Sequence, residues 1–323
     1  MITVALRAII LTCHQKPPKR IGAKPTDKAP TLVQTLLDGT DLAFNLRGIG
    51  WEWSKGLQVP AERRPLDNLP MFTLLTFRNF LGHIFAFDLL IYICQTLAPG
   101  YGSPTGGTIF DWSYPLPLAL FRTWSLSYMT GMAVYTAINS AYLFATIIGV
   151  LVLRQSPSVW PPLFGRPYTS TSLTQFWALD WHQMFRDNFV NAGGKPFAFL
   201  TGTGRVGLVV GSFMVSGLMH DVGLWAMDRG HDTPLVVGYF LVQGLGGLCE
   251  TLWKRHITGK KVGGFWGWLW TQSNISVWGV MLIEAWGTRG LVGSQFLPQE
   301  VRPTTLAKQA LNALVKRYIS ATV

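Results

Sequence analysis

The residue best placed to do chemistry is His220, which lies inside the apolar run from Val206 to Met227. An ionisable side chain in such a run is costly to bury and by default marks a functional site. Burial away from water keeps an imidazole neutral near pH 7, and a neutral imidazole can take the proton of a hydroxyl group. His220 is therefore a candidate catalytic base. The alternative is a structural histidine bonded to a neighbouring helix.

Small residues share the helical face of His220. Ser212, Ser216 and Gly223 lie eight, four and three positions from it, and these distances place side chains on one face of a helix. Small side chains beside a buried base leave room for a substrate. The alternative is that the small residues of this run only let helices pack closely.

A second group of polar side chains occurs in the aromatic stretch from Phe176 to Asp187. On a helix, Trp177 and Trp181 form an apolar ridge, while His182 and Arg186 form a polar ridge beside it. The spacing predicts a helix that lies half in lipid and presents His182 and Arg186 to a site. The alternative is an interfacial anchor helix whose polar residues have no chemical role.

The composition predicts that these residues sit in a membrane protein. Of 323 residues, 49% are hydrophobic and 13% are charged, whereas about a quarter of a soluble domain is charged. Fourteen Trp and nineteen Phe fit the aromatic belts at the two boundaries between lipid and water. A net charge of +11 would suggest nucleic acid for a soluble chain, but the basic residues cluster between apolar segments. We therefore expect the lipid bilayer, and no nucleic acid, as a partner.

Five apolar segments are long enough to cross a bilayer, which requires about 20 helical residues. They are Leu81 to Ala98, Leu126 to Leu153, Val206 to Met227, Pro234 to Trp253 and Phe265 to Gly287. The segments that connect them alternate between rich and poor in Lys and Arg, which places the N-terminus in the cytosol. The predicted fold class is all-α, a multi-pass transmembrane helical protein with interfacial amphipathic helices.

Three motifs carry a resemblance to a known family. They are Arg47-Gly48-Ile49-Gly50-Trp51-Glu52-Trp53, Phe176 to Arg186, and Ser216-Gly217-Leu218-Met219-His220-Asp221. Together they resemble the wax synthase branch of the membrane-bound O-acyltransferases, and more narrowly its fungal members that acylate secondary metabolites. The resemblance covers residues 45 to 290. The chain departs from wax synthases at Ala178, Leu179 and Asp180, where glycine and arginine are usual, and it has fewer clear spans than members commonly have.

The resemblance implies the roles of two histidines. In that superfamily the buried histidine is the catalytic base, and the polar end of the aromatic motif is the second active-site residue. These roles fall on His220 and His182. The expected organisation is a cytosolic N-terminal segment with a short apolar start over 1–70, a wax synthase-like membrane acyltransferase domain over 71–290 with its signature at about 160–250, and an amphipathic C-terminal tail over 291–323.

The resemblance also implies an acyl-CoA-dependent O-acyltransferase. The expected reaction moves acetyl from acetyl-CoA onto a hydroxyl of a terpenoid or meroterpenoid secondary metabolite, at the membrane of the endoplasmic reticulum. An alternative within the family is a wax synthase that joins a fatty acyl-CoA and a long-chain alcohol. An alternative of another class is a non-catalytic transporter or scaffold, with a proton or ion path through His83, Asp88, His220 and Glu284.

Basic residues on the predicted cytosolic side are candidates to hold the phosphates of acyl-CoA, which acts as a co-substrate and not as a bound cofactor. They are Arg154, Arg166, Arg186, Lys195 and Arg205. The sequence has no metal-ligand spacing, glycine-rich phosphate loop or nucleophile elbow. Among the apolar segments' acids, Asp88 and Glu250 are expected to be helix partners, and Glu284 could orient His220.

Overall fold

The computed structural model describes residues 2–13, 17–22, 30–54 and 57–322. Apart from one isolated β-bridge between Arg20 and Trp51, every regular element in these ranges is helical, which confirms the all-α prediction. The long helices are α1 (Ile2–Thr12), α2 (Leu32–Phe44), α3 (Leu69–Leu97), α4 (Leu116–Leu151), α5 (Arg205–Ala226), α6 (Thr233–Trp253), α7 (Gly264–Thr288) and α8 (Pro303–Thr322).

Helices α3 to α7 correspond to the five predicted spans. Within the described residues, four helices are long and apolar enough to cross a bilayer: α3, α4, α5, and α6 with its π-helical extension to Thr258. Helix α7 has 25 residues but is not among the four. The polar run Thr271 to Asn274 in its middle lowers its hydropathy. Which ends of the helices face the cytosol stays a prediction.

Helices α3 and α4 begin well before the apolar segments that predicted them. The Asn68 side chain accepts a hydrogen bond from the backbone N–H of Met71 and so caps α3. Pro70 in α3 and Pro117 in α4 stand in the first turn, where a missing backbone donor costs nothing. With 36 residues, α4 is about 54 Å long and exceeds a hydrocarbon core of about 30 Å.

The chain divides into two compact units, each assembled from three stretches. The first unit comprises Met1–Arg63, Ser156–Gly223 and Val236–Asn274, and it contains both candidate histidines. The second comprises Arg64–Gln155, Leu224–Leu235 and Ile275–Val323. The regions 1–70, 71–290 and 291–323 expected from the sequence stay a prediction.

Two acids of the second unit hold its chain segments in place. The carboxylate of Asp88 in α3 accepts hydrogen bonds from Nε of Arg302 at 2.7 Å and from the backbone N–H of Thr304 at 2.8 Å. These bonds hold the start of α8 against α3 and confirm Asp88 as a helix partner. The carboxylate of Glu284 accepts a hydrogen bond from the backbone N–H of Ile109 at 2.8 Å.

Helix α2 of the first unit turns its polar face inward. Asp38 binds Arg20 at 2.6 Å, and Asp41 accepts a hydrogen bond from the indole of Trp51 at 2.7 Å. The opposite face exposes a row of large apolar side chains, which are Leu32, Val33, Leu36, Leu37 and Phe44. With 13 residues α2 is too short to span a bilayer, and an outward apolar face is the orientation of a helix that lies in the interface.

Candidate active site

The aromatic stretch around the second candidate histidine is not one helix. A single α-helical turn, Leu173–Gln175, leads into the π-helix Phe176–Asp180. The backbone then becomes extended at Trp181, where ψ is 153°, and helix resumes only at Arg186. The prediction of a helix with an apolar and a polar ridge over Phe176 to Asp187 was therefore wrong.

Side chains in this stretch explain the break. The amide of Gln183 donates hydrogen bonds to the carbonyl oxygens of Trp177 and Trp181 at 2.9 and 2.8 Å, so it satisfies backbone groups at the end of the π-helix. The buried carboxylate of Asp180 accepts hydrogen bonds from the hydroxyl of Ser170 at 2.7 Å and from the amide of Gln175 at 2.8 Å. This polar network stabilises an irregular backbone that helical spacing cannot predict.

The start of the aromatic stretch is held by Glu250 of α6. Its buried carboxylate accepts hydrogen bonds from the backbone N–H groups of Leu173 at 2.6 Å and Thr174 at 2.9 Å, and from the indole of Trp270 at 3.1 Å. The first N–H groups of a helical segment have no partner within it, so a carboxylate there both pairs them and offsets their partial charge. The expectation that Glu250 is a helix partner is confirmed.

His182 lies in the break, between aromatic rings. The ring centroids of Phe164, Trp181 and Phe185 lie 5.5 to 5.7 Å from its own. Its Nδ1 atom is buried, and no described residue gives it a hydrogen-bond partner. Burial, with smaller effects from the charges of His220 and one arginine, lowers the pKa of His182 to about 3. The imidazole is therefore neutral at pH 7 and has one N–H to donate.

His220 is oriented by its own helix. Its Nδ1 atom lies 2.7 Å from the carbonyl oxygen of Ser216, one turn earlier in α5. Since a carbonyl oxygen can only accept a hydrogen bond, the proton is on Nδ1 and the lone pair is on Nε2. No described residue forms a hydrogen bond with Nε2. The ring packs on Phe240 of α6, with the centroids 4.4 Å apart.

The group that orients His220 is the carbonyl of Ser216 and not the carboxylate of Glu284, which the sequence suggested for this role. The imidazole of His220 is held by the Ser216 carbonyl, and the Glu284 carboxylate is engaged by the backbone N–H of Ile109. A backbone carbonyl is a common partner for the N–H of a functional histidine.

Shared aromatic contacts connect the two histidines within the first unit. The ring of Trp177 contacts Phe240, which packs on His220, and it also contacts Trp181, which packs on His182. The two candidate residues thus lie on one aromatic cluster.

Gln243 is a candidate site residue that the sequence reasoning missed. It is fully buried in α6, and its side-chain oxygen accepts a hydrogen bond from the indole of Trp177 at 3.4 Å. Its Nε2 atom is buried with no partner among the described residues. A lone amide inside the apolar segment from Pro234 to Trp253 could have drawn attention, because polar side chains at membrane depth are costly.

The small residues of α5 serve mainly in packing. A Cβ on Gly211 would lie 2.5 Å from the carbonyl oxygen of Gly193, and a Cβ on Gly217 would lie 2.8 Å from Cα of Val237. Only glycine permits such close approach of two backbones. Around Gly223, in contrast, no atom lies within 4 Å of the Cβ position, so there is open space at this position of α5.

The basic candidates are exposed side chains. Arg166, Arg186, Lys195 and Arg205 are exposed in the first unit. Arg154 is exposed in the second unit, where its φ of 56° lies in the left-handed region. Of the first four, Arg186 lines a small open pocket.

The motif from Arg47 to Trp53 packs against the loop that contains Pro161 and Pro162. The buried guanidinium of Arg47 donates hydrogen bonds to the carbonyl oxygens of Pro161 and Pro162, each at 2.9 Å. Gly48 has a φ of +65°, and a Cβ there would lie 2.3 Å from the ring of Trp53. Glycine is therefore required at this turn, and the motif holds the loop that leads into the aromatic stretch.

Comparison with known proteins identifies the segment that carries both histidines. Residues 160–242 match the model of the membrane-bound O-acyl transferase family. This part of the chain is similar to the members of that family. The resemblance inferred from the three motifs is confirmed, and with the four apolar helices it makes the chain an integral membrane protein.

Relatives extend the membrane-bound O-acyl transferase similarity beyond the matched segment. The chain is 27% identical over 257 residues to the O-mevalon transferase yanI of Aspergillus niger, which covers 72% of this chain and 56% of the relative. It is 26% identical over 265 residues to the acetyltransferase spyB of Aspergillus fumigatus. This alignment covers 76% of the chain and 44% of the relative. It is 31% identical over 105 residues to a long-chain-alcohol O-fatty-acyltransferase of Simmondsia chinensis. This alignment covers 31% of the chain and 30% of the relative. The chain spans about half the length of the first two relatives.

Proposed function

We propose that this chain transfers an acyl group from acyl-CoA to an alcohol, with His220 as the general base. The observation that carries the proposal is the bond from His220 Nδ1 to the Ser216 carbonyl, because it leaves the Nε2 lone pair available for a proton. The similarity of residues 160–242 to the O-acyl transferase family and the names of the relatives support the same reaction.

In the proposed reaction, Nε2 of His220 takes the hydroxyl proton while the alcohol oxygen bonds to the thioester carbon. The C–S bond of the tetrahedral intermediate then breaks, and the thiolate of coenzyme A receives the proton from the imidazolium. No covalent acyl-enzyme is needed.

The intermediate carries an oxyanion, which requires hydrogen-bond donors. Two buried donors of the aromatic cluster are suited to it. Nε2 of Gln243 has no partner among the described residues, and the neutral His182 has one N–H to donate. Both groups already lie in a site from which water is largely excluded, where such bonds are strongest.

We further propose acetyl-CoA as the donor and a terpenoid or meroterpenoid alcohol as the acceptor, at the endoplasmic reticulum. Support for acetyl-CoA comes from the relative named as an acetyltransferase and from the ring of Phe240, which packs directly on His220. The Simmondsia relative favours a second candidate, a long-chain alcohol with a fatty acyl donor.

The test is release of coenzyme A by the purified protein, with the acylated alcohol identified by mass. Acetyl-CoA and palmitoyl-CoA are compared with a bulky terpenoid alcohol and with a long-chain alcohol, below the micelle range of palmitoyl-CoA. Burial of each additional methylene in an open apolar pocket is worth about 0.8 kcal/mol, so an open pocket would strongly favour palmitoyl transfer. We expect acetyl transfer to dominate. Dominant palmitoyl transfer would replace the acetyl assignment with the long-chain one, and no release with any pair would reject acyl transfer.

A further inference from the structure

The connection between α6 and α7 in the first unit carries a dense group of cations that have no part in the proposed reaction. They are Lys254, Arg255, Lys260 and Lys261. Every residue from Leu252 to Lys261 is exposed, and no described residue pairs with any of the four basic side chains. The chain has no acid between Glu250 and Glu284. This part of the surface is therefore strongly positive.

Large apolar side chains are exposed next to these cations. They are Trp253, Ile257, Phe265 and Trp266, and the last of them is 76% exposed. The ring of Phe265 contacts the rings of Trp266 and Trp268, with the centroids 5.4 and 5.9 Å apart. Tryptophan is enriched at the boundary between lipid headgroups and acyl chains, because its ring is apolar and its N–H is polar.

Contacts between the two helices place the cations and the aromatic rings at the same level. The indole of Trp270 in α7 donates a hydrogen bond to Glu250 of α6 at 3.1 Å. One turn further along, a Cβ on Gly246 would lie 3.7 Å from the side-chain nitrogen of Asn274. The two helices are therefore antiparallel, and each extends about one turn past the first contact to the connecting loop. Both groups lie at this end of the helix pair.

Hydrogen bonds hold this end in a defined shape. The Thr258 hydroxyl accepts a hydrogen bond from the backbone N–H of Lys260 at 3.3 Å, and Gly259 between them has a φ of +69°. At the start of α7, the indole of Trp268 donates a hydrogen bond to the carbonyl oxygen of Tyr168 at 2.9 Å. Because the backbone that carries the cations is already ordered, little conformational entropy is lost when they bind a partner.

We propose that the loop from Lys254 to Lys261 binds the anionic phospholipid headgroups of the bilayer, with Trp253 and Trp266 at the boundary between headgroups and acyl chains. A basic cluster directly after a membrane-spanning helix attracts anionic lipids, and the cytosolic leaflet, which this loop is predicted to face, carries them. A phospholipid is complementary in two respects, since its phosphate pairs with Lys and Arg and its acyl chains cover the exposed rings. Free coenzyme A would pair with the charges but leave the rings in water.

The experiment adds phosphatidylserine and phosphatidylcholine in equal amounts to the purified protein in a neutral detergent. Native mass spectrometry then gives the ratio of the two bound lipids. One variant combines Lys254→Gln with Arg255→Gln, and another combines Lys260→Gln with Lys261→Gln. The thermal unfolding temperature of each variant is recorded to exclude unfolded samples.

Two control variants separate local charge from other effects. Lys260→Arg with Lys261→Arg changes the same positions but keeps both charges. Arg63→Gln with Arg78→Gln removes two exposed charges elsewhere in the chain. Binding of coenzyme A to every variant is measured in parallel, because a soluble polyanion is the competing partner for a basic loop.

We expect each loop variant with two charges removed to lower the ratio of bound phosphatidylserine to bound phosphatidylcholine by about tenfold, since each cation contributes about fivefold. Both controls should match the wild type, and high ionic strength should abolish the wild-type preference. An unchanged ratio in both loop variants would overturn the proposal. An equal loss in the Arg63 and Arg78 control would show that only the net charge matters, which also contradicts it. Weaker coenzyme A binding with an unchanged lipid ratio would assign the loop to a soluble anion instead.

Discussion

The Nδ1 atom of His220 lies 2.7 Å from the carbonyl oxygen of Ser216, and this contact assigns the tautomer of the candidate base. The bond is internal to α5, so the orientation of the imidazole depends on one helical turn and on the packing of that turn against α6. Nε2 is the nitrogen available to a substrate. Changes in the packing of α5 should therefore affect catalysis through the position of this ring.

Gly217→Ala tests that packing. An added Cβ would lie 2.8 Å from the backbone Cα of Val237, so α5 and α6 must separate, and we expect a loss of stability of about 1–3 kcal/mol together with reduced acyl transfer. Gly223→Ala is the control on the same helix, because no atom lies within 4 Å of its Cβ position. The measurement is the thermal unfolding temperature of each variant, which we expect to be lower for Gly217→Ala than for Gly223→Ala. Equal unfolding temperatures would show that Gly217 does not set the helix separation.

The pKa of His182 leads to a prediction about pH. Its folded-state pKa of about 3 lies below the unfolded value of 6.5, so the unfolded chain binds more protons between these values. This contribution to stability is present above pH 6.5 and is lost as the pH falls toward 3, by about 3 kcal/mol at pH 4.5.

His182→Gln removes the titrating group of that prediction. We expect the unfolding temperature of the variant to fall less than that of the wild type between pH 7 and pH 4.5. Parallel curves for the two proteins would show that His182 is not held neutral by burial.

Glu250→Ala should release the start of the aromatic stretch. The backbone N–H groups of Leu173 and Thr174 would lose their shared acceptor, and we expect a cost of about 2–4 kcal/mol, since bonds to a carboxylate are stronger than neutral ones. The exposed neighbour Cys249→Ala is the control. Proteolysis of folded protein, followed by mass analysis, locates the released segment. Protection of residues 170–185 in the variant would contradict the role of Glu250.

Gln243→Leu tests the proposed oxyanion donor. The substitution removes the unpartnered N–H but keeps an apolar side chain of similar size, so we expect kcat to fall about a hundredfold with little change in KM. Gln295→Leu, at an exposed position, is the control. A fall in folded protein, or a change in KM alone, would assign Gln243 to structure or to binding.

Much of the fold was predictable because apolar length and helix-ending residues are local properties of the sequence. Each predicted span ends within two residues of the end of the corresponding helix. Helix α4, for example, ends at Leu151, and the span predicted there ends at Leu153. The early starts of α3 and α4 were missed, because their first turns are capped by Asn68 and by prolines outside the apolar runs.

The site was less predictable because long-range side-chain bonds determine its backbone. Helical spacing placed Trp177 and Trp181 on one ridge, and their rings do meet at 6.1 Å. They meet across a break, however, that depends on Gln183 and on Glu250 from a distant part of the chain. The partner of the His220 imidazole is a backbone carbonyl, which no side-chain pattern can reveal.

The most direct test of the account is release of coenzyme A from acetyl-CoA, in the presence of a bulky terpenoid alcohol, by the wild type and by His220→Ala. Loss of a general base lowers the rate by about 10²- to 10⁴-fold, and we expect at least a hundredfold loss while the variant still inserts and unfolds at the wild-type temperature. His256→Ala, at an exposed histidine of the same protein, should retain full activity. Coenzyme A release by His220→Ala within tenfold of the wild type would contradict the assignment of His220 as the base.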